Sequence, residues 1–282
     1  STGYFRLGKA GGRDHLVTPD GHAYLALGIN HIDMLQQRTE GGLQVRGDAD
    51  WQRYWAQTLK PQFDDWHLTT LGYGVPAELK KKAPWFAAIP LARIEKHRSD
   101  PKRDARDGYH FPDVFDSAWA AEIKEVIHQA AAPLRDDPFI IGYFWTDTPT
   151  WDLHKTRALR GMNWVDALRA LPASAPGRRA YAAFLEQRYA DRLADLTTFY
   201  GLALKSLDQL READLTAIAV GRHAVQEDDE AFLAIIAQRF YDTVGKAQRA
   251  ADPNHLVFGD RYLAGDAPES VLKAATPWID AV

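Results

Sequence analysis

At 282 residues, with 46% hydrophobic residues and no cysteine, the chain is long enough to bury a large core and cannot use disulfides, thiolate nucleophiles or zinc–thiolate sites. A formal charge of −4 and a pI near 6.2 argue against nucleic acid or an anionic membrane as the main partner. No apolar run approaches the ~20 residues of a membrane helix.

In chain order, Phe5 to Val17 with the Pro19-Asp-Gly21 turn predicts a hairpin over residues 1–22. It leads into Ala23-Tyr-Leu-Ala-Leu-Gly-Ile-Asn30 as the first strand of a parallel series. An amphipathic stretch from Trp51 to Trp66 precedes a second strand at Leu68–Gly74, and Trp85–Leu91 is the third. Asp116 is placed to cap a helix whose apolar positions Trp119, Ile123, Val126, Ile127 and Ala130 fall at helical spacing. That helix returns the chain to a fourth strand at Phe139–Phe144, whose nearly continuous apolar run suits a strand covered on both faces.

Residues 151–252 follow a mainly helical pattern, longer than a crossover requires, and are expected to be an insertion after strand four. Tyr181, Phe184, Leu185, Leu193 and Leu196 predict one long helix, and Phe232, Ile235, Ile236 and Phe240 another. Leu215 to Val220 has strand propensity within helical surroundings. His255–Asp260 is a fifth strand, Asp266 and Glu269 bracket Pro268 as a capping box, and Trp278–Val282 is a sixth strand. Alternating strands and helices predict an α/β fold, a (β/α)8 TIM barrel within a single catalytic domain spanning residues 1–282. Six such strands are six eighths of a barrel, so the last strands are expected outside these residues. The competing doubly wound sheet would need a glycine-rich phosphate loop after strand one. Gly28-Ile-Asn-His31 and Gly72-Tyr-Gly74 are glycine pairs only, so no nucleotide or other cofactor is expected.

Candidate site residues gather where strands end. Asp147 follows the fourth strand as a carboxylate at an open edge. Asp260 is a candidate second carboxylate and Arg261 a candidate ligand contact at the end of strand five. Asn30 and His31 form a polar binding candidate after strand one. With Asp33, His31 offers two metal ligands but no third at a recognisable spacing, so no metal site is assigned. Of nine tryptophans, Trp145 and Trp151 flank the candidate site as stacking platforms, whereas Trp51, Trp55, Trp85, Trp119 and Trp278 are expected to be packing residues. The stretch Arg93–Asp107 carries six basic and four acidic side chains and is expected to be a charged loop over the same mouth.

Five segments carry a resemblance: Leu16-Val-Thr-Pro-Asp-Gly21, Ala26-Leu-Gly-Ile-Asn-His31, Phe111-Pro-Asp-Val-Phe-Asp116, Asp137-Pro-Phe-Ile-Ile-Gly-Tyr-Phe144 and Asp252-Pro-Asn-His-Leu-Val-Phe-Gly259. Together, in this order, they resemble the agarase-type glycoside hydrolases of family 50. The resemblance implies a barrel of the large retaining clan acting on β-linked galactose units of agar-like polysaccharides. It also implies an acid/base after strand four and a nucleophile after strand seven, beyond Val282. Family members typically carry Asp-Asn-Glu after this strand, with the Glu as acid/base. Aligned on Gly142 and Trp151, this chain has Thr148 at the Glu position and Asp147 at the Asn position. Two functions therefore stand open: hydrolysis of a β-galactosidic bond with Asp147 as acid, or carbohydrate binding or regulation by a cleft that has lost catalysis. The resemblance implies a polysaccharide or oligosaccharide partner, with Asn30, His31, Asp260 and Arg261 as sugar contacts and Trp145 and Trp151 stacking on pyranose faces. The expected location is periplasmic or extracellular, with the cytoplasm as the other option.

Overall fold

The computed structural model describes residues 2–33, 47–89, 91, 111–147, 151–218, 220–262, 265 and 267–281. Two sheets organise them. The first is antiparallel, in the order β1 (Arg6–Ala10), β2 (Arg13–Val17), β3 (Ala23–Tyr24). Gly11 and Gly12 make the β1–β2 turn with φ of 58° and 78°, a left-handed conformation that glycine adopts without steric penalty. The second sheet is parallel and holds β4 (Gly28–Ile29), β5 (Thr70–Leu71), β6 (Trp85–Ala88), β7 (Ile140–Asp147) and β8 (Leu256–Arg261) in that spatial order. Neighbours in the sheet are neighbours in the chain, so the order never reverses as it does at the switch point of a doubly wound sheet.

The expected first strand is therefore divided between the two sheets. Ala23 and Tyr24 pair with β2, while Gly28 and Ile29 pair with Thr70 and Leu71 of β5. The Thr69 hydroxyl accepts from Leu27 N at 3.0 Å and donates to Leu25 O at 2.6 Å, which holds the chain where it passes from one sheet to the other.

One face of the parallel sheet is covered by helices. After α1 (Gly47–Tyr54) and α2 (Lys60–Asp65), Asp116 caps α3 (Ser117–Ala131) by accepting from Ala118 N at 2.8 Å, and Trp119, Ile123 and Ile127 of this helix are buried. The region after β7 contains α4 (Leu153–Arg160), α5 (Trp164–Arg169), α6 (Pro176–Arg188), α7 (Leu193–Tyr200) and the long α8 (His223–Ala251). Of these, α8 lies along α3, with Trp119 and Phe240 stacked at 5.8 Å, and it returns the chain to β8. The shorter helices are tied to it by buried polar bonds. Arg169 Nη1 donates to Asp229 Oδ1 at 2.6 Å, and the hydroxyls of Tyr189 and Tyr200 both donate to Asp228 Oδ2 at 2.7 Å. On the opposite sheet face Phe86, Phe144 and Phe258 form a half-buried ring cluster with centroids 5.2–5.3 Å apart.

Leu215 and Ile218, where strand propensity stood against the surrounding pattern, are buried without joining a strand; Asp214 Oδ1 accepts from Thr216 N at 2.9 Å, closing a local turn that competes with strand pairing. Three expectations differ from the structure. The single helix marked by Tyr181 to Leu196 is two, α6 and α7, separated by residues 189–192. Pro268 is the N-cap of α9 (Glu269–Ala275) and makes no side-chain cap, while Asp266 lies outside the described residues. The proposed sixth strand is a 3₁₀ turn over Thr276–Trp278 followed by extended chain: Asp280 N donates to Val257 O at 2.7 Å and its carboxylate accepts from Val257 N at 2.7 Å. Trp278 covers Gly245 of α8, where a Cβ would overlap its indole ring. No helix among the described residues is long and apolar enough to cross a membrane.

Candidate functional site

Parallel pairing brings the C-terminal ends of β4, β5, β7 and β8 to one edge, the edge at which α/β sheets bind ligands. After β4, Asn30 Oδ1 accepts from Tyr73 N at 2.9 Å, and His31 N donates to Tyr73 O at 2.6 Å. Gly72 permits this, because any side chain there would collide with Asn30 Oδ1. His31 holds φ at 61°, a left-handed conformation uncommon for a residue with a Cβ and frequent at functional sites. Its ring meets the Tyr73 ring edge-on at 4.8 Å. The Arg261 guanidinium lies 3.6 Å from the Tyr73 ring centroid, and it sits 5.8 Å from that of Phe144. Such a cation–π contact contributes about 0.5–2 kcal/mol. The last register pair of β7 and β8 is Asp147 with Arg261.

Asn30, His31 and Arg261 are thus brought together around Tyr73, a residue not singled out from the sequence. The sequence signal was the Gly72-Tyr-Gly74 pair: Gly72 makes room for Asn30, and Gly74 (φ 77°) lies against the His31 backbone. The backbone of Asp147 reaches the same edge; Thr148 and the charged stretch Arg93–Asp107 lie outside the described residues.

Three expectations are corrected. Trp145 and Trp151 are each 1% exposed and cannot offer open ring faces to a sugar. Trp151 is stacked on Trp164 at 4.3 Å with planes 4° apart, and Trp145 faces Tyr241 of α8 at 6.2 Å. Asp260 is 5% exposed and is turned into the helix layer, so it is not a second carboxylate open to substrate. Its Oδ1 accepts from Thr146 N at 2.9 Å and its Oδ2 from the Tyr241 hydroxyl at 2.5 Å. Burial pushes the Asp260 carboxyl above the usual range despite those bonds.

Of the segments that carry the family resemblance, Ala26–His31 supplies Asn30 and His31 to this edge, whereas others sit elsewhere. At the N-terminal end of β7 and β8, Asp252 Oδ2 accepts from the Tyr143 hydroxyl at 2.6 Å and lies 2.7 Å from His255 Nδ1. Asp252 Oδ1 accepts from the backbone N–H of Asn254 and His255, and His255 Nε2 lies 2.9 Å from Asp137 O. The Asp-Pro-Phe and Asp-Pro-Asn-His segments thereby lock two strand starts together. Asp113, from Phe-Pro-Asp-Val-Phe-Asp, accepts from Gly177 N at 2.8 Å and secures the first turn of α6. The Asp137, Asp252 and His255 contacts thus specify the fold at the strand starts, opposite the open edge.

A sequentially ordered parallel sheet with polar side chains at its C-terminal edge defines an α/β fold with a candidate ligand-binding edge. Within that class the chain is similar to agarase-type glycoside hydrolases, as its motifs implied. Beta-agarase A of Vibrio sp. (strain JT0107) is 25% identical over 236 residues, covering 80% of this chain and 23% of that protein. Beta-agarase B from the same source is 20% identical over an alignment covering 99% of this chain and 36% of that protein. The solved structure of an exo-beta-agarase shares the fold with a TM-score of 0.76 and 19% identity, over 99% of this chain and 48% of that one. No family model matches the chain. The chain therefore spans between about a quarter and a half of the length of these relatives.

Proposed function

We propose that residues 1–282 belong to the (β/α)8 barrel domain of a glycoside hydrolase that cleaves β-galactosidic linkages in agar-like polysaccharides or oligosaccharides. The observation that carries this is the convergence of Asn30, His31, Tyr73, Asp147 and Arg261 on the C-terminal edge of a sequentially ordered parallel sheet, in a chain similar to beta-agarases. In a barrel the Phe86, Phe144 and Phe258 cluster would fill the interior as a packed layer. Asp147 is the candidate acid/base. Arg261 and Asn30 hold sugar hydroxyls, with His31 and Tyr73 shaping the wall beside them. Hydrolysis needs a second carboxylate, about 5 Å away for retention or about 6.5–9.5 Å for inversion, and the family resemblance puts it after a seventh strand, outside residues 1–282. Action on an external polysaccharide fits a periplasmic or extracellular location.

One observation favours a second reading, binding without turnover: Thr148 occupies the position of the family's glutamate, and a threonine hydroxyl is too weak an acid to protonate a glycosidic oxygen. Calorimetric titration with agar oligosaccharides, beside chromatography of products from the same sample, separates the two. Hydrolysis predicts heat of binding together with shortened oligosaccharides. Binding with no product supports the second reading, and the absence of both overturns the carbohydrate assignment.

A further inference from the structure

Asp260 is absent from the open edge because its strand changes parity just before it. In β8 Val257 faces the helices and Phe258 faces the opposite ring cluster, so Asp260 should share the side of Phe258. Instead the register with β7 shifts at Tyr143/Phe144 and again between Phe144 and Asp147. Gly259 stands at the first shift with φ of 70°, where a Cβ would lie 2.7 Å from Ile279 Cγ2. An irregularity of this kind re-aims the following side chain, and here it delivers a carboxylate to α8.

We infer that Asp260, Tyr241 and Tyr262 form a positioning clamp for the end of β7, setting the peptide that leads into Asp147. Asp260 spans the gap: one oxygen takes the Thr146 amide at 2.9 Å, and the other takes the Tyr241 hydroxyl at 2.5 Å. The Tyr241 hydroxyl also lies 2.5 Å from that of Tyr262, and its ring packs between Trp145 at 6.2 Å and Trp151 at 5.6 Å. The two tryptophans thus belong to this support. A rigid α8 holds Tyr241, Tyr241 orients Asp260, and Asp260 fixes the Thr146 N–H one residue before Asp147. Groups that carry chemistry need such a shell, because a displacement of about 1 Å can cost about 100-fold in rate. The catalytic consequence rests on Asp147 acting as the acid; the clamp itself does not.

The test measures amide hydrogen exchange at Thr146 by NMR beside kcat and KM on an agar oligosaccharide. Asp260→Ala is expected to speed Thr146 exchange by about 30-fold relative to the rest of β7, as loss of a buried hydrogen bond dictates. It is also expected to lower kcat by about 100-fold with KM changed by less than about threefold. Asp260→Asn keeps an acceptor for Thr146 N and should restore both. Tyr241→Phe leaves the ring between the tryptophans and removes only the hydroxyl, so it tests the clamp with the packing intact; about fivefold faster Thr146 exchange is expected. Unchanged Thr146 exchange in Asp260→Ala or in Tyr241→Phe overturns the clamp. Exchange that Asp260→Asn restores without restoring kcat overturns its catalytic role. If the wild type cleaves nothing, the exchange measurements still decide the clamp, and the failure belongs to the functional assignment.

Discussion

Asp147→Asn is expected to lower kcat on agar oligosaccharides by about 100- to 10,000-fold while leaving binding nearly unchanged. An amide of the same shape keeps the hydrogen-bonding outline of the carboxyl group but cannot deliver a proton to the leaving oxygen, and general acid catalysis contributes a factor of this size. Because the lost interaction exists only in the transition state, kcat and kcat/KM should fall together. Initial rates across a substrate series, with calorimetric affinity on the variant, provide the check. A variant that cleaves as fast as the wild type removes Asp147 from the acid role. One that neither cleaves nor binds makes it a substrate contact.

The second large effect lies at the other end of the strands. Asp252→Ala is expected to lower the free energy of unfolding by about 3–5 kcal/mol, the range for removing one member of a buried hydrogen-bonded charged network. The substitution removes a hydrogen-bond partner from the Tyr143 hydroxyl, His255 Nδ1 and two backbone N–H groups, and a buried group left unpaired costs about 1–3 kcal/mol. Burial pushes the Asp252 carboxyl up, but the bonds from His255, Tyr143 and Asn254 N outweigh it, and its pKa is held below the ordinary 3.8. A depressed carboxylate contributes its stabilisation above the unfolded pKa and loses it as pH falls through the folded one. The gap between wild type and Asp252→Ala should therefore be full at neutral pH and shrink below about pH 4. Urea unfolding at several pH values measures it. Coincident curves at neutral pH, or a gap that widens in acid, would show that Asp252 does not anchor the strand starts.

Much of this architecture was legible because it depends on local patterns. Asp116 and the spacing of Trp119, Ile123 and Ile127 specify α3 without reference to the rest of the chain, and the apolar run at Phe139–Phe144 announces a buried strand. What escaped depends on contacts distant in sequence. Nothing in Ala23–Asn30 reveals that Tyr24 and Gly28 join different sheets, since that follows from pairing with β2 and β5. Trp278–Val282 has strand composition, but Trp278 is used to cover Gly245 and the Asp280 carboxylate occupies the place of a backbone acceptor beside Val257.

The gathering of Asn30, His31 and Arg261 at the strand ends was legible from the sequence, and the neighbours of each residue were less so. When both faces of a strand are apolar, alternation does not say which face meets the helices, so Trp145 could be read as a sugar platform although it is core. Asp260 was misplaced for a related reason, because the parity change at Gly259 depends on the register with β7. Tyr73 went unmarked because its importance comes from its neighbours: Asn30, His31 and Arg261 reach it from two other strands. The Asp137-Pro and Asp252-Pro-Asn-His segments staple strand starts, so their role lies in the fold and is separate from the strand-four position held by Thr148.

The central claim is that carbohydrate meets this protein at the C-terminal edge of the parallel sheet. Backbone amide chemical shifts recorded during titration with an agar oligosaccharide test it most directly. Saturable shifts at Asn30, His31, Tyr73, Asp147 and Arg261, with Asn254 and His255 at the opposite end unmoved, are the predicted result. Shifts confined to the Asn254 and His255 end, with the Tyr73 cluster silent, would contradict it.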